Sequence, residues 1–429
     1  MTVDHVRSLS SGINQTGVRA YNERLLLSVL QRNGALPGGE LARRTGLSPQ
    51  TTSVILRKLE QDGLLHKGVP VKGKVGKPSV PFDIEADGLF SMGLKIGRRS
   101  ADLLVLDLKG EVRMQLRETY DYPMPDTVFG FLERGYEDLM SALSIDMRSR
   151  MCGLGIAAPF ELWNWHELVG APPAEFAAWR DIDFSAEAAR ITDLPVHQVN
   201  DATAACRAEH VFGMGREYRD YVYFFIGAFI GGGIVLDHAV FEGNQKNAGA
   251  FGPLPVPDVQ GKPAQLIDLA SIRALEVRLE ADGLDPRQLW QTPQDWSHLE
   301  AYVQPWLEQT ADALAIASVA SCAVIDFEAV VIDGAMPATC RARLVEMTRT
   351  RLSDQDLRGV IAPEIIEGRV GNNARGIGAA AGPIISQVLL NRSAALLGAL
   401  LHKLGSERTS PFPGRTYPTG SVTGMPRAV

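Results

Sequence analysis

GELARRTGLSPQTTSVILRKLEQDGLL, residues 39–65, decides how this chain is read. Leu41 and Ala42 lie on a short helix that ends near Thr45, and Gly46 supplies the backbone freedom for a tight turn. Ser48 is a favourable N-cap. Pro49 then falls at the first helical position, where its missing N–H costs nothing. Thr52, Ile55, Leu56 and Leu59 follow at helical spacing and form one apolar stripe. The opposite face carries Gln50, Thr51, Ser53, Val54 and Arg57. Short polar groups and a cation near a helix start are what a recognition helix presents to base edges in a major groove.

Working outward, Gly63 stops the helix, and His66 to Ile84 reads as two strands around a tip rich in glycine and lysine. Between Arg43 and Lys77 the cations are Arg43, Arg44, Arg57, Lys58, Lys67, Lys72, Lys74 and Lys77, set against Glu60 and Asp62. The whole chain carries a net charge of −7, so the basic island is local. Phosphate contact accounts for it. The plain alternative is a solvated helical hairpin with a charged loop. Turn, stripe, cap and basic wing coincide as a winged helix-turn-helix requires. The expected DNA-reading set is Ser48, Gln50, Thr51, Ser53 and Arg57, with Lys72, Lys74 and Lys77 on the wing.

Upstream, residues 1 to about 20 read as polar and loose, and Tyr21 to Asn33 as the first helix of this unit. At 429 residues the chain is long enough for two or three domains. Its balance is acidic, which argues against a general nucleic-acid coat and fits a DNA reader carried on an acidic body. Cys152, Cys206, Cys322 and Cys340 show no C-x-x-C spacing, the pattern of reduced, buried thiols in a cytoplasmic protein. The first ten residues lack the apolar core of a signal peptide. The longest apolar run, Tyr221 to Leu236, is interrupted by Gly227 and Gly231 to Gly233 and reads as a glycine hairpin, not a membrane span.

From Phe90 onward the pattern is three strands, a helix, a strand (Met151 to Ala158), a helix and a strand ending at Asn200-Asp201, then a second round. This predicts an α/β protein with two lobes around a cleft. The expected divisions are a winged helix-turn-helix over 1–86, a first lobe over 87–200, a second over 201–405 whose last helix returns to the first, and a flexible tail over 406–429.

In that order the chain resembles the ROK family of repressors, uncharacterised reading frames and sugar kinases. The matching stretches are LKIGRRS (94–100), GIAAP (155–159), VNDATAA (199–205), IGAFIGGGIVL (226–236), AGAFGP (248–253), VIDGAMP (331–337) and NNARGIGAAA (372–381). The resemblance implies an actin-like (ribonuclease H-like) fold with sugar and nucleotide sites in the cleft. Kinases of the family hold Mg-ATP on D-x-G-x-T. Here the segment is Lys95-Ile96-Gly97-Arg98-Arg99, so the metal-managing carboxylate is gone, while lysine and arginine keep an affinity for phosphate. The second phosphate loop, G-T-G-x-G-x-G, has become Gly227-Ala228-Phe229-Ile230-Gly231-Gly232-Gly233. These glycines serve either a phosphate or a tight hairpin. The E-x-G-H element is replaced, with Ala250 for glutamate and Pro253 for histidine. The cysteine-rich zinc loop is missing.

Asn200 and Asp201 persist. Asp201, at a strand end before a helix, either contacts a ligand on the cleft floor or caps the helix that starts at Ala202; in kinases of the family the aspartate is the base and the asparagine orients the sugar. Glu161 and Trp163 follow Pro159, where the family's sugar loop begins. Trp163, Trp165 and Trp179 either stack on a ligand or pack a lid. The expected function is a sequence-specific DNA-binding regulator, a repressor, acting as a homodimer or homotetramer. It would answer a small-molecule effector, a sugar or a sugar derivative, held by Asn200, Asp201, Glu161 and Trp163. No catalytic residue, metal or other cofactor is expected. The alternatives are a sugar kinase, alone or combined with regulation, and a regulator whose cleft serves only dimerisation.

Overall fold

The computed structural model describes residues 15–70, 79–291 and 293–390. The N-terminal unit begins with helix α1 (Gln15–Asn33), which starts earlier than its apolar positions suggest; an Arg19–Glu23 pair at 3.1 Å braces the added turn. Strand β1 (Leu36–Pro37), α2 (Gly38–Thr45) and α3 (Pro49–Gln61) follow, then β2 (Leu65–Lys67) and β3 (Pro81–Ile84) in the sheet order β1-β3-β2. Gly46 has φ +70, the left-handed conformation the turn needs. Ser48 caps α3 by accepting the Thr51 N–H at 3.1 Å. Thr52, Ile55, Leu56 and Leu59 are buried, as the stripe requires. Each aliphatic side chain among them contributes about 1.5–3 kcal/mol of transfer free energy.

The body begins with β4 (Phe90–Ile96), β5 (Ser100–Asp107) and β6 (Val112–Thr119), then α4 (Pro125–Ala142), α5 (Ile145–Ser149) and β7 (Met151–Ala158). Short helices α6 (His166–Val169) and α7 (Pro173–Phe176) lead to α8 (Phe184–Ile191), β8 (Val196–Asn200) and α9 (Asp201–Phe212). The sheet order is β6-β5-β4-β7-β8, antiparallel on the β6 side and parallel from β4 to β8.

The second half opens with β9 (Tyr221–Ile226), β10 (Ile230–Leu236) and β11 (Ala239–Phe241) and the small hairpin β12 (Pro255–Pro257) and β13 (Pro263–Gln265). Then come α10 (Leu266–Ala270), α11 (Ile272–Ala281), α12 (Glu300–Val324), β14 (Ala329–Gly334), α13 (Ala338–Ser353), β15 (Glu364–Glu367) and α14 (Ala374–Val388). Its sheet, β11-β10-β9-β14-β15, repeats the first in order and direction. The sequence over Ala264 to Ala281 reads as helical, yet the structure divides it into a strand and two helices. Ser271 breaks it with an extended backbone and accepts the Ile230 N–H at 3.0 Å.

Helix α14 comes after the second sheet in sequence but packs on β4, β7 and α9. The approach is so close that a Cβ on Gly155 would lie 1.8 Å from the Ala379 carbonyl oxygen, and one on Gly378 would lie 1.7 Å from that of Ala204. Only glycine permits this contact. The wing tip, with Lys72, Lys74 and Lys77, and the segment 406–429 lie outside the described residues. No described helix is long and apolar enough to cross a membrane.

Candidate functional site

Burying one stripe of α3 turns the other outward. Ser48, Gln50, Thr51, Ser53 and Arg57 are all exposed, and Val54 is 52% exposed among them. Ser48 and Thr51 share a hydroxyl contact of 2.8 Å within the cap. The basic island is thinner in space than along the chain. Glu40, just outside the counted stretch, binds Arg43 and Arg44 at 2.6 Å each, and their guanidinium groups hold its carboxyl down at about 2. Lys58 pairs with Asp62 and Glu23, and Lys67 with Glu60. Arg57 has no ion pair among the described residues and remains available to an outside anion.

A cavity of about 330 Å³ opens in the body between β7–β8 and the β9–β10 turn. Asn200, Asp201 and Glu161 line it. The cap reading of Asp201 is corrected: Asn200 caps α9, accepting from the Ala202 and Thr203 N–H groups at 3.0 and 3.1 Å, and Asp201 is already its first residue. The Asp201 carboxylate lies 3.4 Å from Arg375, at the start of α14, whose guanidinium also sits 5.2 Å from the Phe225 ring centre. Glu161 takes a left-handed backbone (φ +48) and accepts from the Asn164 amide at 2.9 Å.

Trp163 must be corrected: it does not line this cavity, and Trp165 does. Both belong to a 3₁₀ turn, Leu162–Trp165. At about three residues per turn, positions two apart face different ways. Trp163 packs against the first-lobe core. Trp165 stands 5.0 Å from the Phe229 ring centre and donates to the Phe160 carbonyl at 2.9 Å. Trp179 is a core residue, 1% exposed. Arg98, from the altered D-x-G-x-T segment, also lines the cavity, as does Arg375, which sequence reasoning missed. Arg375 lay in view as the one charge in NNARGIGAAA.

A second cavity, of about 620 Å³, adjoins the first across Arg98, Ala228 and Arg375. Lys95 lines it and is bound to Asp102 at 2.9 Å. Burial pushes the Lys95 ammonium down to about 8, against the pull of Asp102 and helped by the charges of Arg375 and Arg117. Arg98 reaches Glu276, which is wholly buried, at 2.5 Å. The turn of the glycine hairpin is held by the start of α11. The Ile272 and Arg273 N–H groups donate to the Gly227 and Ala228 carbonyls, and Cβ atoms on Gly232 and Gly233 would meet Tyr223 and Cys206 at 2.0 and 2.4 Å. These two glycines answer a packing need.

Residues 91–382 match the ROK family profile, and residues 19–65 match a winged helix-turn-helix DNA-binding profile. The chain belongs to the ROK family. An uncharacterised protein of Sinorhizobium fredii, y4fQ, is 26% identical over 365 residues, covering 85% of this chain and 91% of that protein. The xylose repressor of Bacillus subtilis is 22% identical over 243 residues, 57% of this chain and 62% of the repressor. Among solved structures, a ROK family transcriptional regulator, a homologue of the E. coli MLC protein, superposes with a TM-score of 0.59 at 20% identity, covering 91% of this chain and 99% of that one. At that identity the likeness establishes the fold.

Within this family the implied metal and nucleotide do not fit the residues present. Lys95 stands where a carboxylate would manage the metal, and Phe229 is packed on Trp165 inside the phosphate loop. Ala250 and Pro253 line the first cavity without a side chain that can hold a sugar hydroxyl or zinc. Among the described residues no cluster of three His, Cys, Asp or Glu side chains could hold a metal ion.

Proposed function

We propose that this chain is a sequence-specific transcriptional repressor of the ROK family. It would read operator DNA through α3 and the wing as a symmetric dimer or tetramer in the cytoplasm, and answer a carbohydrate-derived effector in the first cavity. The observation that carries this reading is the course of two helices. Helices α9 and α14 both begin at the cavity, with Asp201 and Arg375; α14 ends against α1 of the DNA-binding unit, and α9 ends facing α1 across a gap. There the Leu390 N–H donates to Ser28 Oγ at 2.8 Å, Arg32 contacts His238 at 2.7 Å and the Arg216 carbonyl at 2.8 Å, and Arg216 donates to the Gln31 carbonyl at 3.2 Å. Arg207, His210 and Val211 of α9 face the same gap.

An effector that contacts Asp201 competes with Arg375. It prefers one arrangement of α9 against α14, and that preference reaches α1. Differential affinity of this kind is the only way a ligand can shift an equilibrium. The relatives point the same way, since one is named a xylose repressor. Kinase chemistry is disfavoured, because Lys95 stands where a carboxylate would manage the metal and Phe229 fills the phosphate loop.

The test has two steps. Sequencing DNA recovered with the protein from cells identifies the operator. Operator titrations are then run with and without sugars, sugar acids and sugar phosphates. Ser28→Ala is expected to keep operator affinity and lose most of the effector response. Sugar-dependent ADP release at about 1 s⁻¹ or faster, abolished by Asp201→Ala, would overturn the repressor reading.

A further inference from the structure

We propose that the second cavity is a metal-independent binding site for a compact polyanion, of the kind found in pyrophosphate or a phosphorylated small molecule. Six cations converge on it from four parts of the chain: Lys95, Arg98, Arg99, Arg117, Arg287 and Arg375. Two carboxylates line it, Asp102 and Asp121, and Asp102 is already shared between Lys95 at 2.9 Å and Arg117 at 2.5 Å. Beyond the lining, Glu276, Asp201 and Asp285 pair with Arg98, Arg375 and Arg287, so the cations outnumber the carboxylates in and around the cavity by a small margin.

Donors are left over. Among the described residues Arg99 forms no ion pair. The Arg98 side chain is 8% exposed and gives one nitrogen to Glu276, yet its buried Nε has no acceptor there. Arg375 repeats the pattern: it is 14% exposed, paired with Asp201, and its Nε is buried without a partner among the described residues. Buried charged donors without acceptors are costly and uncommon. Two at the mouth of one cationic cavity are what an anion would satisfy. Guanidinium groups suit the task, since they meet phosphate oxygens in a fixed fork. The volume of about 620 Å³ lies within the roughly 300–1,000 Å³ usual for small-molecule sites.

A divalent metal has no place in this arrangement. It would add positive charge to a lining that already has an excess. The lysine that displaced the metal-managing carboxylate has instead made the cations sufficient by themselves. The inference does not depend on the repressor reading, because it is measured without DNA.

The test is calorimetric titration of the full chain with inorganic pyrophosphate near pH 7. It is run first in EDTA and then in excess magnesium. Saturable binding in EDTA is expected, weakened by magnesium because the metal neutralises the probe. Arg99→Glu should weaken it at least tenfold and Arg99→Ala less; Arg99 makes no ion pair with the described residues, so both variants should fold, which thermal denaturation checks. The triple wing variant Lys72→Ala, Lys74→Ala, Lys77→Ala should leave it unchanged. The proposal fails if there is no saturable binding in EDTA, or if binding appears only with magnesium. It also fails if the wing variant abolishes binding while Arg99→Glu does not.

Discussion

The surface of the DNA-binding unit and the wall of the second cavity both collect positive charge, but they do so in opposite ways. In the first, cations crowd along the chain and are thinned by folding. Glu40 takes Arg43 and Arg44, and Glu23, Asp62 and Glu60 take Lys58 and Lys67. In the second, cations dispersed between Lys95 and Arg375 are brought together by folding. A count along the sequence therefore overstates the first cluster and cannot see the second. The difference also sets their energetics. Exposed pairs such as Arg43–Glu40 are screened by water and contribute little. Lys95, Arg98 and Arg375 in the cavity wall are largely withdrawn from water, so a missing partner matters more there.

The largest effect expected from breaking this contrast is at Arg57, the cation of α3 without an ion pair among the described residues. Arg57→Ala should cost about 1–3 kcal/mol of operator affinity and relax preference at one base position. A binding titration over operator variants reads both, and unchanged affinity and preference would move the recognition face elsewhere.

A smaller effect is expected from pH at the cavity. Lys95 is held at about 8 by burial, opposed by Asp102 and aided by Arg375 and Arg117; Ser100 also accepts from it. Between pH 7 and 9 its ammonium is lost, while a bound anion favours the charged form. The ratio of wild-type to Lys95→Met pyrophosphate affinity should fall with rising pH, by up to about tenfold if only the charged form binds. Taking the ratio removes the ionisation of pyrophosphate itself. A flat ratio would mean that Lys95 does not face the anion.

The smallest effect is expected at Arg43. Its guanidinium is tied to Glu40 on the exposed face of α2, so Arg43→Ala should leave operator affinity and its salt dependence within experimental error. Replacing a wing lysine, by contrast, should lower the slope of log affinity against log salt by about 0.9. If Arg43→Ala does the same, Glu40 releases it on DNA, and the charge count along the chain is the better guide.

Local features are legible in the order of residues alone. Residues 39–65 announce themselves because cap, turn glycine and apolar stripe act on neighbours a few positions away. Met151–Ala158 falls where its pattern places it for the same reason. Strands β11 and β15, three and four residues long, escape such a reading; so few residues carry no period of their own, and each is a strand only because a neighbour offers hydrogen bonds.

What the sequence by itself determined is the winged helix-turn-helix, the doubled α/β order and the loss of the kinase and zinc residues. Each rests on spacing or on the identity of a single side chain. Only the tertiary structure decided that Trp165 and not Trp163 faces the first cavity, that Arg375 closes on Asp201, and that one Glu40 is shared by two of the counted cations. It alone decided that α9 and α14 run from that cavity toward α1. The direction of a side chain and the charge around it depend on which distant segments fold against it, and spacing along the chain carries no record of that.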